Sequence, residues 1–218
     1  MNKKFPHICS LPSYFYTKLT ETGRYEYSSV IRWTKRIEIF KKEVIFVPII
    51  LDESHWILAA IFMKVPRKVA VLDSLGILMN KNAVSIGKNL VKWLTDEYRN
   101  KVQFVDNDED FEDFEVKNED LFRLVKANDD DDKDFLLDIV FRNKPPPQSD
   151  GCSCGVFVCM FARLMAEDVN KDVIMEIAKS DEASRKFRKV MCTELWDYAK
   201  ESVQHGVYIN FPVASEPI

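Results

Sequence analysis

The chain has 218 residues, is 46% hydrophobic and 30% charged, and carries a net charge of −4. That length and apolar fraction suffice for a sizeable core in one domain, and the acidic balance argues against a general nucleic-acid binder. The longest apolar runs, 44–51, 56–63 and 156–162, fall well short of the ~20 residues a membrane-crossing helix needs.

The N-terminus opens Met1-Asn2-Lys3-Lys4, but Pro6, His7 and Ser10 interrupt the apolar stretch a signal peptide requires. An intracellular protein is expected. Five cysteines, Cys9, Cys152, Cys154, Cys159 and Cys192, are odd in number and scattered, which fits reduced thiols better than a disulfide framework.

Residues 13–19 and 25–40 are rich in aromatic and basic side chains, with Arg32-Trp33-Thr34-Lys35-Arg36 at their centre, and fit helix or extended chain equally. The run 44–51 is β-branched with Pro48 inside it, suited to an edge position or a bulge. After the polar break Asp52-Glu53-Ser54 comes 56–63, and after Pro66-Arg67-Lys68 comes 69–72. Three short apolar strands in succession predict an antiparallel sheet. His55 would open its middle strand and Asp73 close the next, so the hairpin returns both side chains to one end of the sheet.

Ile86, Leu90, Trp93, Leu94 and Tyr98 recur at helical spacing and predict an amphipathic helix over 83–99, with 101–105 as a further short strand. The stretch 106–115 and the run Asp129-Asp130-Asp131-Asp132 are acidic. They read as solvated loop faces rather than as a calcium loop, whose glycine-spaced ligand pattern they lack. Residues 121–125 and 135–141 read as packed pieces between them. Pro145-Pro146-Pro147 stiffens the approach to Gln148, and an apolar helix begins near Val156. Phe187, Val190, Met191, Leu195 and Tyr198 form a second helical stripe, expected to cover the sheet. The sequence contains no repeats.

The chemistry concentrates in Asp150-Gly151-Cys152-Ser153-Cys154-Gly155 at the mouth of that apolar helix. A thiol is a strong nucleophile only as thiolate, which a helix N-terminus and a nearby imidazolium both favour. Cys154 is read as the nucleophile. His55 is the base that takes its proton, since histidine does this near neutral pH, and Asp73 fixes the imidazole's tautomer and orientation. The oxyanion donors would be the Cys154 backbone N–H and the Gln148 amide. Asp150-Gly151 supplies the turn, and Gly155 lets a substrate come close to the sulfur. Each element has a plainer reading: a structural histidine, an Asp-Ser helix cap, and cysteines as core filler, which is expected for Cys159 and Cys192. Cys152 and Cys154 as a zinc half-site lack partners at ligand spacing. No metal or cofactor is required.

The sequence resembles the Ulp/SENP family of cysteine proteases that process SUMO and related ubiquitin-like proteins. Ser13-Tyr14-Phe15-Tyr16-Thr17-Lys18-Leu19 resembles its F-Y-x-K-L segment, and Val30-Ile31-Arg32-Trp33-Thr34-Lys35 its V-x-R-W-T-K stretch. Val47-Pro48-Ile49 with Ser54-His55-Trp56 resembles its P-I and H-W strand pair, and Leu72-Asp73-Ser74-Leu75-Gly76 its D-S-x-G. Pro147-Gln148-Ser149-Asp150-Gly151-Cys152-Ser153-Cys154-Gly155 resembles the P-Q-x-N-G-x-D-C-G nucleophile turn, with Asp150 and Ser153 as departures, and Phe187-Arg188-Lys189 its F-R-K. The match covers roughly residues 11–195, with 106–134 as an acidic insertion. The family's domain usually begins with a Trp-Leu-Asn-Asp-like helical segment, expected to be missing because the chain starts only about ten residues before the F-Y-x-K-L stretch.

The resemblance implies an α+β, papain-like cysteine protease fold (Ulp/adenain-like) in a single domain. Its central mixed or antiparallel sheet is flanked by helices, with the nucleophile at a helix N-terminus. It implies His55, Asp73 and Cys154 as triad with Gln148 at the oxyanion hole, and Trp33 and Trp56 lining a tunnel that admits only a Gly-Gly tail. The expected activity is a thiol protease and isopeptidase cleaving after the C-terminal Gly-Gly of SUMO or a related modifier, for deconjugation or precursor maturation. The expected partners are that modifier and its conjugates, not nucleic acid or membrane, and the expected location is nuclear and/or cytoplasmic. The alternative is a catalytically impaired relative that binds SUMO without cutting it.

Overall fold

A strand whose every residue is apolar must be covered on both faces, and the runs at 44–51 and 56–63 are of that kind. The computed structural model describes residues 5–21, 23–64, 68–76, 80–102, 137–140, 148–180 and 182–204. In chain order the strands are β1 (Ile8–Ser10), β2 (Val44–Leu51), β3 (His55–Phe62), β4 (Lys68–Leu72) and β5 (Leu137–Val140). The helices are α1 (Phe15–Leu19), α2 (Asn80–Val102), α3 (Cys154–Ala166), α4 (Lys171–Ala178) and α5 (Ala183–Gln204). The five strands form one sheet in the order β1-β2-β3-β4-β5.

The three expected strands pair antiparallel as predicted, while β1 joins β2 and β5 joins β4 in parallel, so the sheet is mixed. Pro48 lies opposite Leu58 on β3, and β1 pairs only with 44–46, so proline's missing N–H faces the stretch of β2 that β1 does not reach. Asp52 and Glu53 turn β2 into β3 with φ of 48° and 55°, and the Ser54 N–H closes the turn on the Leu51 carbonyl at 3.1 Å. That turn delivers His55 as the first residue of β3.

Strand alternation divides the core between two faces. On one, Ile45, Val47, Ile49, Ile57, Ile61 and Val71 pack against Phe15 and Leu19 of α1 and Leu90, Trp93 and Leu94 of α2. On the other, Phe46, Leu58, Ala60 and Leu72 meet Phe157, Met160 and Phe161 of α3 and Ile174 and Met175 of α4. Each such large side chain, fully buried, contributes about 1.5–3 kcal/mol. A sheet sandwiched between helical layers is the α+β architecture the sequence predicts.

Three expectations need correction. Lys101 and Val102 continue α2 rather than opening a strand, because the helix bond ladder carries on past Arg99. The stripe on α5 is helical but does not cover the sheet. The helix packs on α3 and α4, which already occupy that face, leaving Val190, Leu195 and Tyr198 exposed. Cys159 and Cys192 are not core filler: both are exposed, on the outward sides of α3 and α5. Neither α4 nor β1 was predicted. The acidic stretch 106–134, the packed piece 121–125, Pro145-Pro146-Pro147 and the tail beyond 204 lie outside the described residues.

Candidate active site

The hairpin of β3 and β4 ends with His55 and Asp73 on one rim of the sheet. Leu58 pairs with Leu72, so Asp73 follows one residue past the last pair while His55 precedes the first by a short reach. The His55 Nε2–H donates to Asp73 Oδ1 at 2.6 Å, with His55 6% and Asp73 0% exposed. The same Oδ1 accepts the Leu75 N–H at 2.9 Å, which fixes the carboxylate before it meets the ring. With Nε2 committed, Nδ1 is the nitrogen left to accept a proton. It is buried and has no hydrogen-bond partner among the described residues.

Cys154 is the first residue of α3 and is buried, at 6% exposure. Ser153 stands at the N-cap, yet its side chain makes no cap bond. The N–H groups of the first turn, that of Cys154 among them, are therefore not consumed by it, and the positive end of the helix dipole faces the sulfur. The Ser153 hydroxyl instead donates to Asp150 Oδ2 at 2.7 Å and accepts from Arg188 Nη2 on α5 at 3.2 Å. Asp150 Oδ1 takes the N–H groups of Cys152 at 2.9 Å and Ser153 at 2.7 Å, an Asx turn that sets the approach to Cys154. These bonds, the Ser153 hydroxyl first and the Cys152 amide next, pull the Asp150 carboxyl down to about 2 from its ordinary 3.8.

Gln148 is 4% exposed. Its Oε1 accepts from Ser74 Oγ at 2.6 Å and its Nε2 donates to the Asp150 carbonyl at 2.6 Å. The same Nε2 also donates, at 3.4 Å, to Asp150 Oδ1, so the amide is held against both the carbonyl and the carboxylate of that residue. Ser74 was missed as a site residue: it sits 1% exposed beside Asp73, and the pair holds two predicted site groups, carboxylate to imidazole and hydroxyl to amide. The adjacency Asp73-Ser74 was visible in the sequence, but nothing local ties its hydroxyl to Gln148. Arg188 belongs to the Phe187-Arg188-Lys189 stretch, and its bond to Ser153 gives it a place.

The two indoles belong to different clusters. Trp33 is half-buried in the cluster of α1 and α2, edge-on to Tyr14 at 4.9 Å and Phe15 at 5.7 Å between centroids. Trp56 is half-buried in the cluster of α3, and among the described residues no ring contact joins the two. Gly155 lies beside Trp56: a Cβ there would meet Trp56 Cδ1 at 3.6 Å, ordinary contact that leaves room for a methyl. Among the described residues no three His, Cys, Asp or Glu side chains gather as a metal site, and no helix is long and apolar enough to cross a membrane.

Comparison with known proteins places these features in context. The family described as the Ulp1 protease family, C-terminal catalytic domain, matches residues 1–195. Ubiquitin-like-specific protease 1 of Saccharomyces cerevisiae is 30% identical over 162 residues, 73% of this chain and 20% of that protein. Sentrin-specific protease 2 of Homo sapiens is 29% identical over 169 residues, 77% of this chain and 23% of the other. This chain therefore spans about a fifth of the length of the curated relatives it matches. A solved structure of the SUMO protease Ulp1 with its catalytic cysteine oxidized to a sulfonic acid superposes with a TM-score of 0.57 at 27% identity. It covers 88% of this chain and 72% of the other. The C-terminal Ulp1 protease domain in complex with Smt3, the yeast ortholog of SUMO, gives 0.55 at 28%, covering 85% and 67%.

The Asp150 turn has a pH signature. Its carboxyl is held below the ordinary value, so its contribution to stability is complete above pH ~4 and fades as pH falls toward about 2. The stability difference between wild type and Asp150→Asn, followed by urea unfolding from pH 6 to about 2, is expected to be constant at the upper end and to shrink below about 4. A difference that stays flat across the range contradicts the turn.

Proposed function

We propose, on the premise that this chain belongs to the Ulp1 protease family, that it is a cysteine peptidase which hydrolyses the bond after the C-terminal Gly-Gly of SUMO or a related ubiquitin-like modifier. The observation that carries this is the buried 2.6 Å bond between His55 and Asp73 with Nδ1 left open, while Gly155, the neighbour of Cys154, lies against Trp56, the neighbour of His55.

The chemistry runs in two halves. Cys154 Sγ gives its proton to His55 Nδ1 and attacks the carbonyl carbon of the modifier's last glycine. Asp73 holds the imidazolium by Nε2, which keeps the ring aimed and favours the charge it acquires. The oxyanion lies toward the Cys154 N–H and the Gln148 amide. Collapse breaks the bond to nitrogen, and His55 returns the proton to the departing amine, a lysine side chain or a peptide N-terminus. Water then attacks the thioester, His55 takes its proton, and the thiol is restored as the glycine carboxylate leaves.

Specificity for Gly-Gly rests on the two half-buried indoles, Trp33 and Trp56, whose faces can flank an extended backbone without side chains. A relative that binds SUMO without cutting it has no observation of its own, since His55 and Asp73 are already joined. The relatives, a ubiquitin-like-specific protease and a sentrin-specific protease, and the Ulp1–Smt3 complex support the modifier class. The same reading puts the protein in the nucleus or cytoplasm with its conjugated targets.

Two experiments follow. Purified chain is offered a panel of Gly-Gly-ended modifiers carrying a C-terminal electrophile. SUMO is expected to form a covalent adduct at Cys154 by peptide mass mapping, lost in Cys154→Ser. An adduct at the exposed Cys152 means the nucleophile has been misassigned. Gly155→Ala is expected to keep stability or raise it by up to about 1 kcal/mol, since alanine is the better helix residue. Its methyl also narrows the space beside Trp56, so turnover of a fluorogenic SUMO substrate falls about tenfold or more. Unchanged turnover removes Gly155 from the substrate path.

A further inference from the structure

Ser153 stands at one of the two positions where the turn into Cys154 departs from the P-Q-x-N-G-x-D-C-G pattern, the other being Asp150. The carboxylate that the pattern puts directly before the cysteine stands three residues earlier here, and a hydroxyl takes its place. In the structure the two side chains touch. Ser153, 1% exposed, donates its hydroxyl to Asp150 Oδ2 at 2.7 Å, while Asp150 Oδ1 takes the Ser153 N–H at 2.7 Å. Both departures therefore meet at one spot, next to the residue that carries the sulfur.

That spot also faces α5. Arg188, an exposed residue of that helix, donates through Nη2 to Ser153 Oγ at 3.2 Å. Phe187 beside it packs among α3 and α4, and Arg163 of α3 pairs with Glu194 of α5 at 2.7 Å. A helix seated at two points thus delivers the guanidinium. From Arg188 the hydrogen bonds run on without a break. Ser153 passes to Asp150, whose carbonyl and Oδ1 take Gln148 Nε2 at 2.6 and 3.4 Å. Gln148 Oε1 takes the Ser74 hydroxyl at 2.6 Å. The series begins on α5, crosses the turn that presents Cys154, and ends beside Asp73 on the strand rim. An exposed arginine in an isolated pair contributes little. Here its partner is a buried hydroxyl already committed to a carboxylate that is ionised throughout neutral pH, so the bonds polarise one another.

We propose that Arg188 is a positioning residue for Cys154: through Ser153 it holds the Asp150 carboxylate, and with it the turn that carries the sulfur and the Gln148 amide. Asp150 and Ser153 are then one paired exchange rather than two separate departures. The polar groups balance either way. As the chain stands, Arg188 donates to the serine oxygen and the serine hydroxyl donates to the carboxylate at 150. With asparagine at 150 and aspartate at 153, Arg188 donates to the carboxylate directly and the asparagine N–H donates to its other oxygen. The asparagine carbonyl keeps the backbone N–H bonds of the turn. This deepens the proposed function and rests on Cys154 being its nucleophile.

The test uses the full chain and two readouts: kcat with KM on a fluorogenic SUMO substrate, and the rate of Cys154 alkylation by iodoacetamide, located by fragment-ion mapping. Arg188→Ala is expected to lower kcat about tenfold, equivalent to about 1.4 kcal/mol, with alkylation falling in step and KM within about threefold. Arg188→Lys recovers part of the loss, because an ammonium still donates to the hydroxyl but lacks the planar fork. Arg185→Ala removes a like charge from the same exposed side of α5 and leaves both readouts within about twofold. Asp150→Asn and Ser153→Asp are each expected to lower kcat at least about tenfold. The first takes away the anion, and the second sets two carboxylates together. Joined in one chain they recover to within about threefold of wild type, a coupling that independent sites do not show. Should either single variant fail to fold, the urea midpoint of the double variant against it makes the same comparison. The inference is overturned by kcat and alkylation unchanged in Arg188→Ala, by an equal loss in Arg185→Ala, or by a double variant no better than the worse single one. If wild type turns over no SUMO substrate, the proposed activity fails, while the alkylation rates still decide whether Arg188 positions the sulfur.

Discussion

Everything at the candidate site depends on one hydrogen bond between two strands, His55 Nε2 to Asp73 Oδ1 at 2.6 Å. It exists because β3 and β4 pair with Leu58 opposite Leu72, which brings the start of one strand and the end of the other to the same rim. Side chains alternate along a strand, so a slip of one residue would send Asp73 to the opposite face. The apolar partners on both faces forbid that slip, because it would expose Val69 and Val71 to the wrong layer. Burial strengthens the bond in a poorly polarisable surrounding and makes its loss correspondingly severe. The two residues after Leu72 then do separate jobs. Asp73 orients the ring and Ser74 orients the Gln148 amide.

The other half of the site comes from the opposite layer. Phe157 and Phe161 of α3, 5.8 Å apart between ring centroids, seat the helix against the sheet face that holds Phe46, Leu58 and Leu72. That packing sets the height of Cys154 above the rim. Asp150, Ser153 and Arg188 steady the turn leading into it, with Arg188 tying the turn to α5. The helical layer and the strand hairpin are joined where Gly155 lies beside Trp56, and a side chain larger than a methyl there would intrude between them.

Patterns of apolar residues made the central strands, α2 and α3 legible, because each is a long run with one period. The rim geometry was legible too: a histidine opening one strand and an aspartate closing the next can meet only at one end of a hairpin. Three-residue β1 is too short to carry a pattern, and β5 pairs through a backbone that no local signal announces. The stripe on α5 was read correctly as helix and wrongly as a cover for the sheet, since periodicity reports that a face is apolar and not what lies against it. Ser74 was illegible for a related reason. A serine after a strand looks ordinary, and its role comes from a partner 74 residues away, Gln148.

The central claim is that Asp73 makes His55 a competent base for Cys154. It is tested most directly by the single-turnover rate at which Cys154 is acylated by a SUMO substrate in wild type and in Asp73→Asn. An asparagine keeps the shape but offers an amide that can turn its N–H toward the ring, removing the charge and disturbing the tautomer. The account predicts a loss of about 10²–10⁴ in that rate with the unfolding midpoint little changed. A loss smaller than about threefold, with the protein still folded, contradicts it.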